Sequence, residues 1–357
     1  GSITLTGTGG NVPGSGYVDS VGVLLAQGSY LESTGTGGTG TGIGQHGINV
    51  GGNAEIRSID GDITLTARAA SGGNNVHHGI VWSSPATLRV TGDGNVTFTG
   101  TVAPTSQGSG IIASGLILET NTGNITLTGT GNITTGSNTG LNAGGRLDGG
   151  TRLQSLATTS GQGNITVTGT NSGGVSTNAY GYGLGLNGGQ ILTNAGAIAL
   201  SGTGTGSVLG IGIDHINGSL IKSNTGNITL TGTGATSAGN RNIGVVLSAP
   251  ITSTSGAISV TGTSAGTGTE NHGIFFNHNA AQVTSASGAV TLTGKGGSDA
   301  SSRSIAVTGI SNLPVGTSGT ANVTFLGDTI DLAALALQCS GNLTIAPYTR
   351  NIAFNPI

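Results

Sequence analysis

Apolar and polar residues alternate one for one over short stretches of this chain, and the same stretch keeps returning. In Gly1-Ser2-Ile3-Thr4-Leu5-Thr6-Gly7 the apolar side chains sit two apart, with Thr between them. That is the period of a β-strand with one buried face, since successive side chains point to opposite sides of the backbone. Close variants start at Gly61, Gly94, Gly123, Gly163, Gly196, Gly226, Gly256 and Gly288, with weaker copies at Asn322-Val323-Thr324-Phe325 and Gly341-Asn342-Leu343-Thr344-Ile345. Most are roughly 30 residues apart, and the long gap after the first copy predicts a degenerate one near Ser33-Thr34-Gly35-Thr36-Gly37. A strand this short cannot bury its face alone, whereas copies stacked about 4.8 Å apart place Ile on Ile, Leu on Leu and Thr on Thr. Glycine at each end of the motif reads as a corner.

Two more strands complete each repeat. One follows a variable insert, as in Val21-Gly22-Val23-Leu24, Gly79-Ile80-Val81-Trp82 and Gly273-Ile274-Phe275-Phe276. The other leads back into the motif, as in Ala54-Glu55-Ile56-Arg57-Ser58, Leu116-Ile117-Leu118-Glu119-Thr120 and Gln190-Ile191-Leu192-Thr193. The pattern predicts an all-β fold: a single-stranded parallel β-helix, or β-solenoid, with three short strands per rung and about eleven rungs of about 30 residues. The crossover rule makes it right-handed. Residues 1–327 form the solenoid, and 328–357 a degenerate last rung with a tail that caps the rod or docks on a neighbour. One short helical turn is expected at Asp331 to Leu337. The inserts, such as Thr8–Ser20 and Gly169–Tyr180, should emerge along one edge, where side-chain-specific function belongs.

Composition narrows the functional classes. Of 357 residues 72 are Gly, 6% are charged, and the formal net charge is −3. Regularly placed Ile, Leu and Val raise the apolar share to 34%, so the chain has the material for a core. Lys and Arg are thinly spread and aromatics are 3% of the chain, so a nucleic-acid surface is not expected. No apolar run approaches the ~18 residues of a membrane span, so no membrane insertion is expected. Cys339 stands alone and reads as a small buried apolar residue, with no internal disulfide to form. Met is absent and residue 1 already belongs to a strand motif, so a processed product or an excerpt is expected.

The runs Gly-Asn-Ile-Thr-Leu-Thr-Gly-Thr-Gly at 123–131 and 226–234 resemble the repeats of large bacterial surface proteins, above all the filamentous haemagglutinin-like adhesins and their Gly/Thr-rich cyanobacterial versions. The resemblance implies a parallel β-helix at the cell surface and brings no catalytic residue with it. Such repeats occur in adhesins, matrix components and surface fibres alike.

Parallel β-helices also carry carbohydrate-active sites, which need clustered carboxylates on one face of neighbouring rungs. Asp60 and Asp62, with Asp93 one rung on, form the best carboxylate group; corner capping explains them as well as acid/base work does. His46, His78 and His272 each precede Gly-Ile at the start of the second strand, and His77, His215 and His278 complete the set. No cysteine or carboxylate shares their spacing, so neither a metal nor a cofactor is expected. Asn95, Asn124, Asn164, Asn227 and Asn342 read as a corner ladder whose amides bond along the stack; the Asn-x-Thr sequons they create follow from the repeat. The pairs Thr64/Thr66, Thr97/Thr99, Thr126/Thr128, Thr166/Thr168, Thr229/Thr231 and Thr291/Thr293 form two outward rows of the kind ice-binding solenoids display. Ala199/Ser201 and Ser259/Thr261 interrupt them, and Thr is in any case a good exposed strand residue. Tyr180 and Tyr182 are the candidate ligand-contact residues of the inserts, and one of Phe275 and Phe276 faces the core.

The leading expectation is a structural, non-enzymatic protein of the cell surface or extracellular space. It assembles with itself head to tail through Ile3 and Leu5 at one end and Ile352 and Phe354 at the other. An adhesin segment that binds surface polysaccharide through its inserts comes second, a carbohydrate-active enzyme third and an ice-binding solenoid fourth.

Overall fold

The computed structural model describes residues 6–8, 23–25, 33–36, 46–51, 54–69, 76–83, 85–133, 142–173, 181–216, 218–349 and 355–356. They form three parallel sheets of twelve, twelve and ten strands, wound as a β-solenoid, and no helix forms among them. The motif copies make the first sheet, here the motif sheet. Its strands include Ile63–Arg68, Val96–Thr101, Ile125–Gly131, Ile165–Asn171, Ile198–Thr203, Ile228–Thr233, Ile258–Thr263 and Val290–Lys295. The strands after the inserts, such as Ile80–Trp82 and Gly181–Asn187, make the middle sheet. Those leading back, such as Leu116–Thr120 and Gln190–Thr193, make the return sheet. About eight turns of about 32 residues run from Ile63 to Val323. The degenerate copy is present too: Ser33–Thr36 lies between Thr6–Thr8 and Ile63–Arg68. With twelve strands in two sheets and ten in the third, the rung count departs slightly from eleven.

Register follows the motif residue for residue. Ile63, Val96, Ile125, Ile165, Ile198 and Ile228 pair in succession and are all at most 4% exposed. Leu65, Phe98, Leu127, Val167, Leu200 and Leu230 form the next inward column. A slip of one residue would turn every Ile and Leu outward, which fixes the register. Each such side chain contributes about 1.5–3 kcal/mol on burial. The core also holds Trp82 stacked on Phe98, with ring centroids 5.6 Å apart. Cys339 packs half-buried against the core's last rung.

Two expectations need correction. Asp331 to Leu337 makes no helical turn: Leu335–Gln338 is a strand of the return sheet, paired with Leu313–Thr317. Its Leu335-Ala336-Leu337 alternation has period two, and an open edge of the preceding rung was there to receive it. Nor is the glycine that closes the motif a corner. Gly129 lies inside the strand Ile125–Gly131, and a Cβ on it would come 2.0 Å from the carbonyl oxygen of Gly144 in the middle sheet. Gly169, Gly202, Gly232 and Gly262 meet Gly183, Gly212, Gly244 and Gly273 in the same way, each about 2.1 Å or closer. Two sheets touch backbone to backbone along this line. It divides the main core from a smaller cluster on the insert side: Ala143, Tyr182, Ile211, Ile243 and Val246.

Candidate functional site

The corners are built from side chains that accept or donate along the stack. Where the return sheet enters the motif sheet, Thr120 and Thr193 donate their hydroxyls to the carbonyls of Gly123 and Gly196, 2.7 Å away in each case. Just beyond, the expected asparagine ladder is present. The Oδ1 of Asn95 accepts the N–H of Asn124, that of Asn124 the N–H of Asn164, and that of Asn164 the N–H of Ala197, at 2.8–2.9 Å. Asp62 begins the ladder, accepting from both the backbone N–H and the side-chain amide of Asn95. Asp93 accepts the Thr122 hydroxyl. Asp62 and Asp93 therefore work as corner acceptors, each committed to the next rung.

The histidines before the middle sheet do the same work. The Nδ1 of His46 accepts the N–H of His78, that of His78 the N–H of Ser109, and that of His272 the N–H of Arg303. His46 and His78 stack with ring centroids 5.1 Å apart. Burial pushes His78 down to about 3, helped by the nearby His46 and His77 and by Arg146, and burial takes His272 down to about 4. A neutral imidazole is what the role demands, because a protonated one has no lone pair to offer. Among the described residues, no group of three or more His, Cys, Asp or Glu is placed to hold a metal ion.

Asp214 and His215 were singled out by no spacing. Both lie on the buried strand Gly210–Ile216; His215 points into the core between Leu186 and Leu247 in register, with no partner for either ring nitrogen. Burial holds His215 down at about 3 and raises Asp214 to about 7, so both are neutral over much of the acid range. Tyr182 is 9% exposed, its ring packed in the cluster on the insert side, and so lacks the open face that stacking on a sugar needs. Tyr180, Ile3, Leu5, Ile352 and Phe354 lie outside the described residues. Phe276 is buried in the core and Phe275 half-buried beside His272. A shallow groove of about 410 Å³ opens at the insert edge, lined by Thr203, Thr205, Thr233, Thr236 and Ser237 with small residues between them.

The most regular surface is the outward side of the motif sheet. The two predicted Thr rows are there, in register from Thr64 to Thr291 and from Thr66 to Thr293. Past the glycine line stands a third row that the motif did not suggest: Thr101, Thr130, Thr170, Thr203, Thr233 and Thr263. It was hidden because the glycine before it reads as the end of the strand. Over the six rungs from Val96 to Ile258, every outward position in the three rows is Thr except Ala199, Ser201 and Ser259. Arg68 and Lys295 bound the third row on either side. No known family profile matches this chain, and searches of curated proteins and of solved structures return no match.

Proposed function

We propose that this chain is a structural subunit of an extracellular or cell-surface fibre or matrix, stacking head to tail with further copies of itself. The observation that carries this reading is that the rungs are built to stack on like rungs: their apolar columns pair in register, and asparagine and histidine side chains accept N–H groups of the next rung. Among the described residues, two such columns pass from buried Val323 and Phe325 to their register partners Leu343 and Ile345, of which Leu343 is 46% exposed. Leu335 and Leu337 are likewise only half-buried. Among the described residues, the strands Leu343–Ala346 and Leu335–Gln338 stand at the edges of their sheets. A strand of such a rung is a template for a further strand, and the apolar cross-section beside it repeats from rung to rung. A contact between the two unlike ends of a rod does not close, so it propagates into a filament. The resemblance to filamentous haemagglutinin-like surface repeats supports the same reading, as does the commitment of the corner His, Asn and Asp residues to stacking.

The test is sedimentation of the purified chain over a range of concentrations, with negative-stain images of the same samples. End-to-end rods that lengthen with concentration are expected, and Leu343→Arg should leave single particles. A wild-type chain that stays monomeric at high concentration contradicts the proposal. A second reading, an adhesin segment that binds surface polysaccharide through its inserts, is supported by the groove at the insert edge.

A further inference from the structure

We propose that the threonine face of the motif sheet is an ice-binding surface: its ligand is crystalline water. The proposal stands whether or not copies stack end to end.

Three observations carry it. The first is order. The three Thr rows repeat at the rung spacing of about 4.8 Å in one direction and at two residues of strand, roughly 6.6 Å, in the other. Both lie near repeats of the oxygen lattice in hexagonal ice. Thr is β-branched and stiff at χ1, so each rung presents its methyl and hydroxyl in nearly the same orientation. Disordered surface water gains nothing from such an array, but a lattice meets every rung at once.

The second is that most hydroxyls of the face are free, Thr101 at its edge being bonded to the Ala67 carbonyl. Thr126, Thr128, Thr166, Thr168, Thr229 and Thr231 make no side-chain hydrogen bond to any described residue. The serines and threonines at the corners, by contrast, are bonded to backbone. The fold's own need for hydroxyl groups is therefore met elsewhere.

The third is an internal control. Strand propensity alone would enrich Thr equally on every outward face. The return sheet stacks in the same register, yet its outward positions carry Glu55, Arg57, Arg89, Glu119, Arg152 and Lys222. Charges are present on one outward face and absent from the other over six rungs. The breaks in the Thr rows, Ala199, Ser201 and Ser259, are all smaller than Thr, so none projects above the surface. A face that must lie flat against a solid tolerates a missing methyl better than a protruding side chain.

The test is partition of the full chain into slowly grown ice, with circular dichroism to confirm strand content. The wild-type chain should be enriched in the ice. Thr168→Tyr and Thr231→Lys, in the middle row, should fall to the level of an inert soluble protein, while Gln154→Tyr and Thr252→Lys on the return sheet should behave as wild type. Exclusion of the wild-type chain from ice overturns the proposal. So does capture that all four variants share, or exclusion from ice together with retention on crystalline cellulose. The wild-type result and the exposed Thr231 site decide the matter even if Thr168→Tyr fails to fold.

Discussion

At the scale of single residues, glycine does two jobs that look alike in a sequence. The glycine that opens the motif stacks tightly at a corner, and a Cβ on Gly123 would lie 1.8 Å from the carbonyl oxygen of Gly94. The one that closes it sits mid-strand where two sheets touch. Both are Gly beside Thr, so the closing one reads as a turn, and only the facing sheet shows that close approach is the reason. The consequence is sharp. Gly202→Ala puts a methyl 2.1 Å from the Gly212 carbonyl, and backbone on both sides cannot yield cheaply. It should lower the unfolding free energy by about 1–3 kcal/mol, the usual range for overpacking. Gly185→Ala, where a Cβ meets nothing within 4 Å, should leave stability nearly unchanged. Urea titrations of the pair check this; equal midpoints would remove the close-contact account.

At the scale of elements, the strands were legible and the corners only in part. Alternation of Ile and Leu with Thr announces a strand wherever it occurs, and it placed the motif strands; Leu335–Gln338 reads equally as a helical turn until its partner Leu313–Thr317 is in place. The asparagine ladder was readable because Asn recurs at one motif position. The role of His78 and His272 was not, since a histidine before Gly-Ile is equally a solvent-facing loop end until the next rung's N–H is placed on its Nδ1. That role makes stability depend on pH. His78, His215 and His272 have pKa values lowered to about 3, 3 and 4, against 6.5 when unfolded, so the unfolded chain takes up the proton first. Their contribution is complete above pH 6.5 and drains away as pH falls toward 3. Asp214, raised to about 7, works the other way, its contribution fading as pH rises from 3.8 to 7. Thermal melts between pH 7.5 and 4.5 should show a net loss of stability on acidification. His78→Asn should flatten that slope, because Asn can still accept the Ser109 N–H without titrating. An unchanged slope would mean His78 is not held neutral by the fold.

At the scale of the whole molecule, the sequence told the architecture and concealed the surface. Repetition alone predicts stacking, since no rung has enough neighbours within itself to bury its apolar side. What repetition does not reveal is which outward columns stand side by side. The third Thr row follows a glycine, and its members lie about 30 to 40 residues apart, so they become neighbours only once register is known. Both functional proposals rest on that register: rungs that repeat one apolar cross-section and so fit a second copy, and ordered Thr rows fit for ice. The most direct measurement is therefore the distance between paired spin labels on one outward column, in a Cys339→Ser background. Thr97 and Thr229 lie four rungs apart and Thr97 and Thr324 seven, by successive pairing. The account predicts narrow distributions centred near about 19 Å and about 34 Å, in proportion to rung number. Distances that do not grow with rung number, or a distribution spread over several registers, would contradict it.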